Sequence, residues 1–142
     1  MDIGDGGIID WTLFQQARTE LGPNFIRILG YFREDGEKAV GRIEDAMHRR
    51  DAAALVLPSH TMKSEARQFG ARELGAIAEE IEDAARRAVE NGLFPDHLVP
   101  EVARLRPLYE ETMEQFERET NPRVERRPSA ARVASNQDFG RL

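Results

Sequence analysis

An all-α fold, an antiparallel up-down four-helix bundle with an additional short N-terminal helix, is predicted for this chain of 142 residues by three observations. Apolar residues recur at steps of three and four along successive segments, the period of a helix with one buried face. The segments are punctuated by capping or breaking residues: Asp10, Gly22-Pro23, Asp51, Gly70, Asn91-Gly92 and Pro95-Asp96. β-Branched runs are few, whereas Ala and charged residues abound, which favours helix over strand.

Residues Met1 to Gly7 are rich in Gly and Asp and are expected to be flexible. Asp10 is the N-cap candidate for a short helix to about Leu21, with Trp11, Phe14 and Leu21 on its apolar side. This helix is expected to lie across the end of the bundle. Gly22-Pro23 stops it and starts the next. From Asn24, the residues Phe25, Ile28, Leu29, Phe32, Val40, Ile43 and Met47 keep helical spacing. Asp35-Gly36 leaves two readings open, one bent helix or two helices. His48-Arg49-Arg50 closes the run with positive charge, which suits a helix C-terminus.

Asp51 opens the next helix and Gly70 ends it. Pro58 either bends this helix or marks its true start, with residues 52–57 as an irregular lead-in. A further helix runs from about Arg72 to Glu90, burying Leu74, Ile77, Ala78, Ile81, Ala85 and Ala88. The Gly70-Ala71 connection is short, so these two helices are antiparallel. The last helix follows Pro95-Asp96 and carries Leu98, Val102, Leu105, Leu108, Tyr109, Met113 and Phe116, with a kink expected at Pro107. Residues 8–119 thus form the bundle domain. Residues 120–142, rich in Arg, Pro, Ser and Asn, are expected to be a disordered tail.

Composition narrows the function. There is no Cys, which excludes disulfides and thiolate metal sites. A net charge of −6 speaks against a large nucleic-acid footprint. No apolar run approaches the ~18 residues of a membrane span, and no basic-then-apolar leader opens the chain. A cytoplasmic protein is the expectation.

The segment from Leu55 to Ala71 carries the chemistry. Leu55, Ser59, Met62, Ala66 and Phe69 form the core-facing stripe. Val56, His60, Lys63, Ser64 and Arg67 form a second stripe roughly 120° round from it. A neutral imidazole is a competent nucleophile near neutral pH. A phosphoryl group on His60 would find an ammonium at Lys63, a hydroxyl at Ser64 and a guanidinium at Arg67. The plainer reading is a solvated helix face. Counting eleven residues from Ala71 in either direction gives His60 and Glu82, which places them at similar height on neighbouring helices. Glu82 then either orients the imidazole or is a solvated residue paired with Arg86 at i+4.

The string His60-x-x-Lys63-Ser64, with Phe69-Gly70-Ala71, Leu74 and Glu82 at fixed offsets, resembles the signature of histidine-containing phosphotransfer (HPt) domains. His60, Lys63, Gly70, Ala71, Leu74 and Glu82 match in order and spacing. Ser64 stands where that family has Gly, and Met62 where it has Leu. The resemblance implies a phosphorelay intermediary in two-component signal transduction. It accepts a phosphoryl group on His60 from a receiver-domain aspartyl phosphate and passes it to another receiver. It also implies response-regulator receivers as partners, a hybrid histidine kinase upstream, and Mg²⁺ on the partner alone. Lys63 becomes the main charge stabiliser, Ser64 and Arg67 further phosphoryl contacts, Glu82 the imidazole-orienting residue and Val56 a docking residue. No Walker-type loop is present, so a phosphocarrier without ATP-dependent kinase activity is expected. Because Lys63 sits on the open stripe, Lys63→Ala is expected to slow transfer without unfolding the bundle.

Two rivals remain. One is a helical binding module that sequesters a receiver or another partner without being phosphorylated. The other is a bundle metalloprotein using Glu44 and His48, which share an i,i+4 face but lack a duplicated Glu-x-x-His motif on a facing helix.

Overall fold

The computed structural model describes residues 7–121. Five helices follow one another: α1 (Trp11–Leu21), α2 (Phe25–Arg49), α3 (Ala52–Gln68), α4 (Arg72–Asn91) and α5 (Val99–Thr120). Helices α2 to α5 form the bundle, in which α3 packs on α2 and α4, and α5 closes the ring against α4 and α2. Ion pairs Arg33–Glu117 and Arg106–Glu44 have the descending numbering of an antiparallel α2/α5 pair. The expectations for residues 1–6, and for the Arg-rich stretch from Pro122 onward, lie outside the described residues.

The caps act where the sequence places them. The Asp10 carboxylate accepts from the backbone N–H of Thr12 at 3.0 Å and of Leu13 at 3.2 Å, satisfying donors that a helix start leaves open. Gly22, with φ 54°, ends α1, and a short 3₁₀ turn over Gly22–Asn24 redirects the chain. Asp51 caps α3 through the Ala54 N–H at 3.1 Å.

Both open questions about continuity resolve toward single helices. Helix α2 passes unbroken through Asp35-Gly36. The glycine is there for packing, since a Cβ on Gly36 would stand 2.5 Å from Cε1 of Tyr109. Helix α3 begins at Ala52, so residues 52–57 are helical and Pro58 lies inside. The Ser59 hydroxyl donates to the carbonyl of Leu55 at 2.7 Å and lies 3.1 Å from that of Val56. A buried serine beside the proline is thereby satisfied on its own helix.

Every residue assigned to the core stripe of α3 is buried: Leu55, Ser59, Met62, Ala66 and Phe69. So is the α4 set from Leu74 to Ala88. Burying one such Leu, Ile or Phe side chain contributes roughly 1.5–3 kcal/mol. At the α3–α4 hairpin end, Phe14, Phe25, Phe69 and Phe116 form an aromatic cluster, with Trp11 edge-on to Phe14. Helix α1 closes this end. Asp10 N–H donates to Gly70 C=O at 2.7 Å, and Glu73 N–H to Ile8 C=O at 3.2 Å. Gly70 has φ 77°, and a Cβ there would come within 2.5 Å of the Asp10 carbonyl oxygen. The hairpin glycine therefore serves both the turn and the seat of α1.

Candidate functional site

The hairpin brings His60 and Glu82 together as the count from Ala71 predicts. Nδ1 of His60 lies 3.0 Å from Oε2 of Glu82. The imidazole side chain is 50% exposed, whereas the Glu82 side chain is 3% exposed. Oε2 of Glu82 also accepts from Arg86, through Nε at 2.9 Å and a terminal nitrogen at 2.7 Å. Oε1 takes the Lys63 ammonium at 2.8 Å. Glu82 thus contacts both the imidazole and Arg86, and it is buried rather than solvated.

Burial pushes the Glu82 carboxyl up, but hydrogen bonds from Lys63, Arg86 and His60 outweigh it and bring its pKa down to about 2. Glu82 is therefore an anion at neutral pH and can only accept hydrogen bonds. The neutral imidazole must then carry its proton on Nδ1, which leaves the Nε2 lone pair free on the half-exposed ring. That is the geometry of an oriented nucleophile.

The remaining residues of the stripe divide. Lys63 is not a freely solvated cation: its side chain is 18% exposed and its ammonium is committed to Glu82. Ser64 is exposed, one helical turn beyond His60. Arg67 is held by Glu79 of α4 at 2.6 Å, two turns from the imidazole. Val56 is half-buried and packs against the core, while its neighbour Leu57 is 70% exposed. Sequence reasoning places Arg86 only as a helix-surface partner of Glu82; the structure makes it, with Lys63, the second cation on a buried carboxylate. Its signal was the i+4 spacing, and what was missing was the burial of Glu82. Glu44 does not pair with His48 in a metal-like cluster, since Arg106 grips both its oxygens at 3.0 and 2.9 Å.

Fold and site together define a class: an antiparallel helical bundle with an outward imidazole braced by a buried, cation-ringed carboxylate. The Hpt domain family matches residues 27–119, well over half of the chain, and the chain belongs to that family. It is accordingly a histidine-phosphotransfer component of a phosphorelay. Helix α1 precedes the matched segment. A similar solved structure is histidine-containing phosphotransfer protein B (HptB) from Pseudomonas aeruginosa PAO1. The likeness has a TM-score of 0.55 at 21% identity and covers 78% of this chain and 98% of that one. At that identity it speaks for the fold. No curated protein matches the chain in sequence.

Proposed function

We propose that His60 is the phosphorylated residue, receiving its phosphoryl group from the aspartyl phosphate of a receiver domain and delivering it to another receiver. The observation that carries this is the pairing of a half-exposed imidazole with a buried carboxylate at its Nδ1. Nε2 attacks phosphorus, the N–P bond forms, and the P–O bond to the receiver's aspartate breaks with the electron pair leaving on that carboxylate. The Nδ1 proton stays on the ring. The ring becomes cationic, and the Glu82 carboxylate beside it balances that charge. Delivery to the second receiver is the same step reversed, with a new aspartate as nucleophile.

Lys63 and Arg86 already flank the anion of Glu82 and supply positive charge for the phosphoryl oxygens. Ser64 offers a hydroxyl donor one turn away. Arg67 has the longest reach to make and must leave Glu79. Leu57 and the exposed edge of Val56 supply apolar contact for a docking receiver. The upstream partner is a hybrid histidine kinase, Mg²⁺ belongs to the receivers, and the chain is a carrier rather than a kinase. No helix among the described residues is long and apolar enough to cross a membrane. We place the relay in the cytoplasm with its receivers.

The test is transfer from receivers labelled with acetyl phosphate to wild type and to His60→Gln. Acid-labile, base-stable label is expected on wild type and none on the variant. Equal labelling of the two removes His60 as the acceptor and leaves a non-phosphorylated binding module.

A further inference from the structure

On the opposite flank of α3 from Glu82 lies a groove of about 490 Å³ between α2 and α3. Ala39, Ala54 and Pro58 line it as small apolar surface, with Leu57 and Thr61 on its α3 side. Two cations, Lys38 and Arg42, line its α2 side one helical turn apart. Neither has an ion-pair partner among the described residues, unlike Lys63, Arg67, Arg86 and Arg106. The carboxylate in the groove, Asp35, lies beside Glu65 of α3 and pushes the Glu65 carboxyl up.

Leu57 stands about 60° round the helix from His60, and Thr61 about 100°. A body covering the imidazole therefore meets the crest of α3 and reaches the groove behind it. The chain as a whole carries a net charge of −6, so an acidic partner is repelled at long range by most of its surface. The groove presents free positive charge beside an exposed leucine. A receiver domain fits that chemistry, because the carboxylates that hold its Mg²⁺ and its acceptor aspartate make the mouth of its site acidic.

We propose that Lys38 and Arg42 are specificity-determining residues for the receiver, drawing an acidic segment of its rim into the α2–α3 groove while Leu57 is covered by an apolar side chain. This rests on the relay reading of His60 and extends it to a helix that carries none of the residues around the imidazole. Charges at the edge of an interface act mainly on association rate and salt dependence.

The experiment measures the affinity of receiver domains, phosphorylated with acetyl phosphate, for wild type, Lys38→Glu, Arg42→Glu, the double variant, and Arg104→Glu on α5 as a charge control. Circular dichroism checks that each is folded. The double variant is expected to bind about tenfold more weakly at low salt, with the gap closing at high salt, and Arg104→Glu to bind as wild type. Wild-type affinity in the double variant overturns the proposal, as does an equal loss in Arg104→Glu. Self-association abolished by the double variant with receiver affinity unchanged overturns it too, giving the groove to a second copy of the chain. His60→Gln is labelled in parallel. Label on that variant with the groove effect intact sinks the acceptor assignment alone, whereas no label and no groove effect sinks the groove alone.

Discussion

Nδ1 of His60 is 3.0 Å from Oε2 of Glu82, a carboxylate that is almost wholly buried while the ring it holds is half in water. The buried partner fixes the exposed one. Glu82 is in turn held by Lys63 on α3 and Arg86 on its own helix. An imidazole free in water prefers its proton on Nε2, so the Nδ1–H form here depends on Glu82.

Glu82→Leu should therefore release the tautomer. Long-range ¹H–¹⁵N spectra of the neutral ring are expected to show the Nδ1–H form in wild type and a shift toward Nε2–H in the variant. Transfer should slow with it, because the nitrogen facing solvent then bears the proton in most molecules. Glu82→Gln is milder, since the amide oxygen still accepts from Nδ1–H. A ring that stays in the Nδ1–H form in Glu82→Leu would show that something other than this carboxylate sets it.

Lys63 tests the same carboxylate from the other side. Its ammonium partners an anion that is out of water, so Lys63→Ala costs stability as well as transfer rate, on the order of 1–2 kcal/mol. The bundle stays folded. Arg86→Ala costs less, because Arg86 is itself about half exposed. The double variant leaves Glu82 with the imidazole alone, and its loss should exceed the sum of the singles. Denaturant unfolding of the four proteins gives the coupling. Additive losses would mean that the two cations do not share the charge of Glu82.

Several helix limits were legible because they are written in local chemistry. Asp10 and Asp51 cap through their own side chains, and Gly70 adopts a backbone conformation that favours glycine. The His60–Glu82 pair was legible because a short hairpin converts sequence count into height. What the sequence did not show depends on distant neighbours. Gly36 resembles a break in α2 until Tyr109 is placed against it, its hydroxyl donating to the Arg33 carbonyl. The covering of Lys63 follows from how closely α3 and α4 approach. Helical spacing fixes the angle of a residue round its own axis but not the distance to the next helix.

Two carboxyls with opposite shifts set the pH dependence of stability. Burial, then the hydrogen bond and charge of Asp35, push Glu65 up to about 7 from 4.5, while Glu82 is held down at about 2. Folding takes up a proton at Glu65 between its unfolded and folded values, so stability falls as pH rises from about 4.5 to 7. Glu82 acts in the other direction: its contribution is present above about 4.5 and is lost as pH falls toward 2. Their sum puts the stability maximum near pH 5 rather than at neutrality. Glu65→Gln keeps a neutral side chain of the same shape at all pH values. It should melt with wild type near pH 5 and several degrees higher at pH 8, a gain of about 1–2 kcal/mol. Asp35→Asn should flatten the same limb, since it removes the negative charge that Glu65 avoids. Thermal unfolding of the three proteins across this range decides the matter, and a wild type whose melting temperature does not fall between pH 5 and 8 would remove Glu65 as the titrating group.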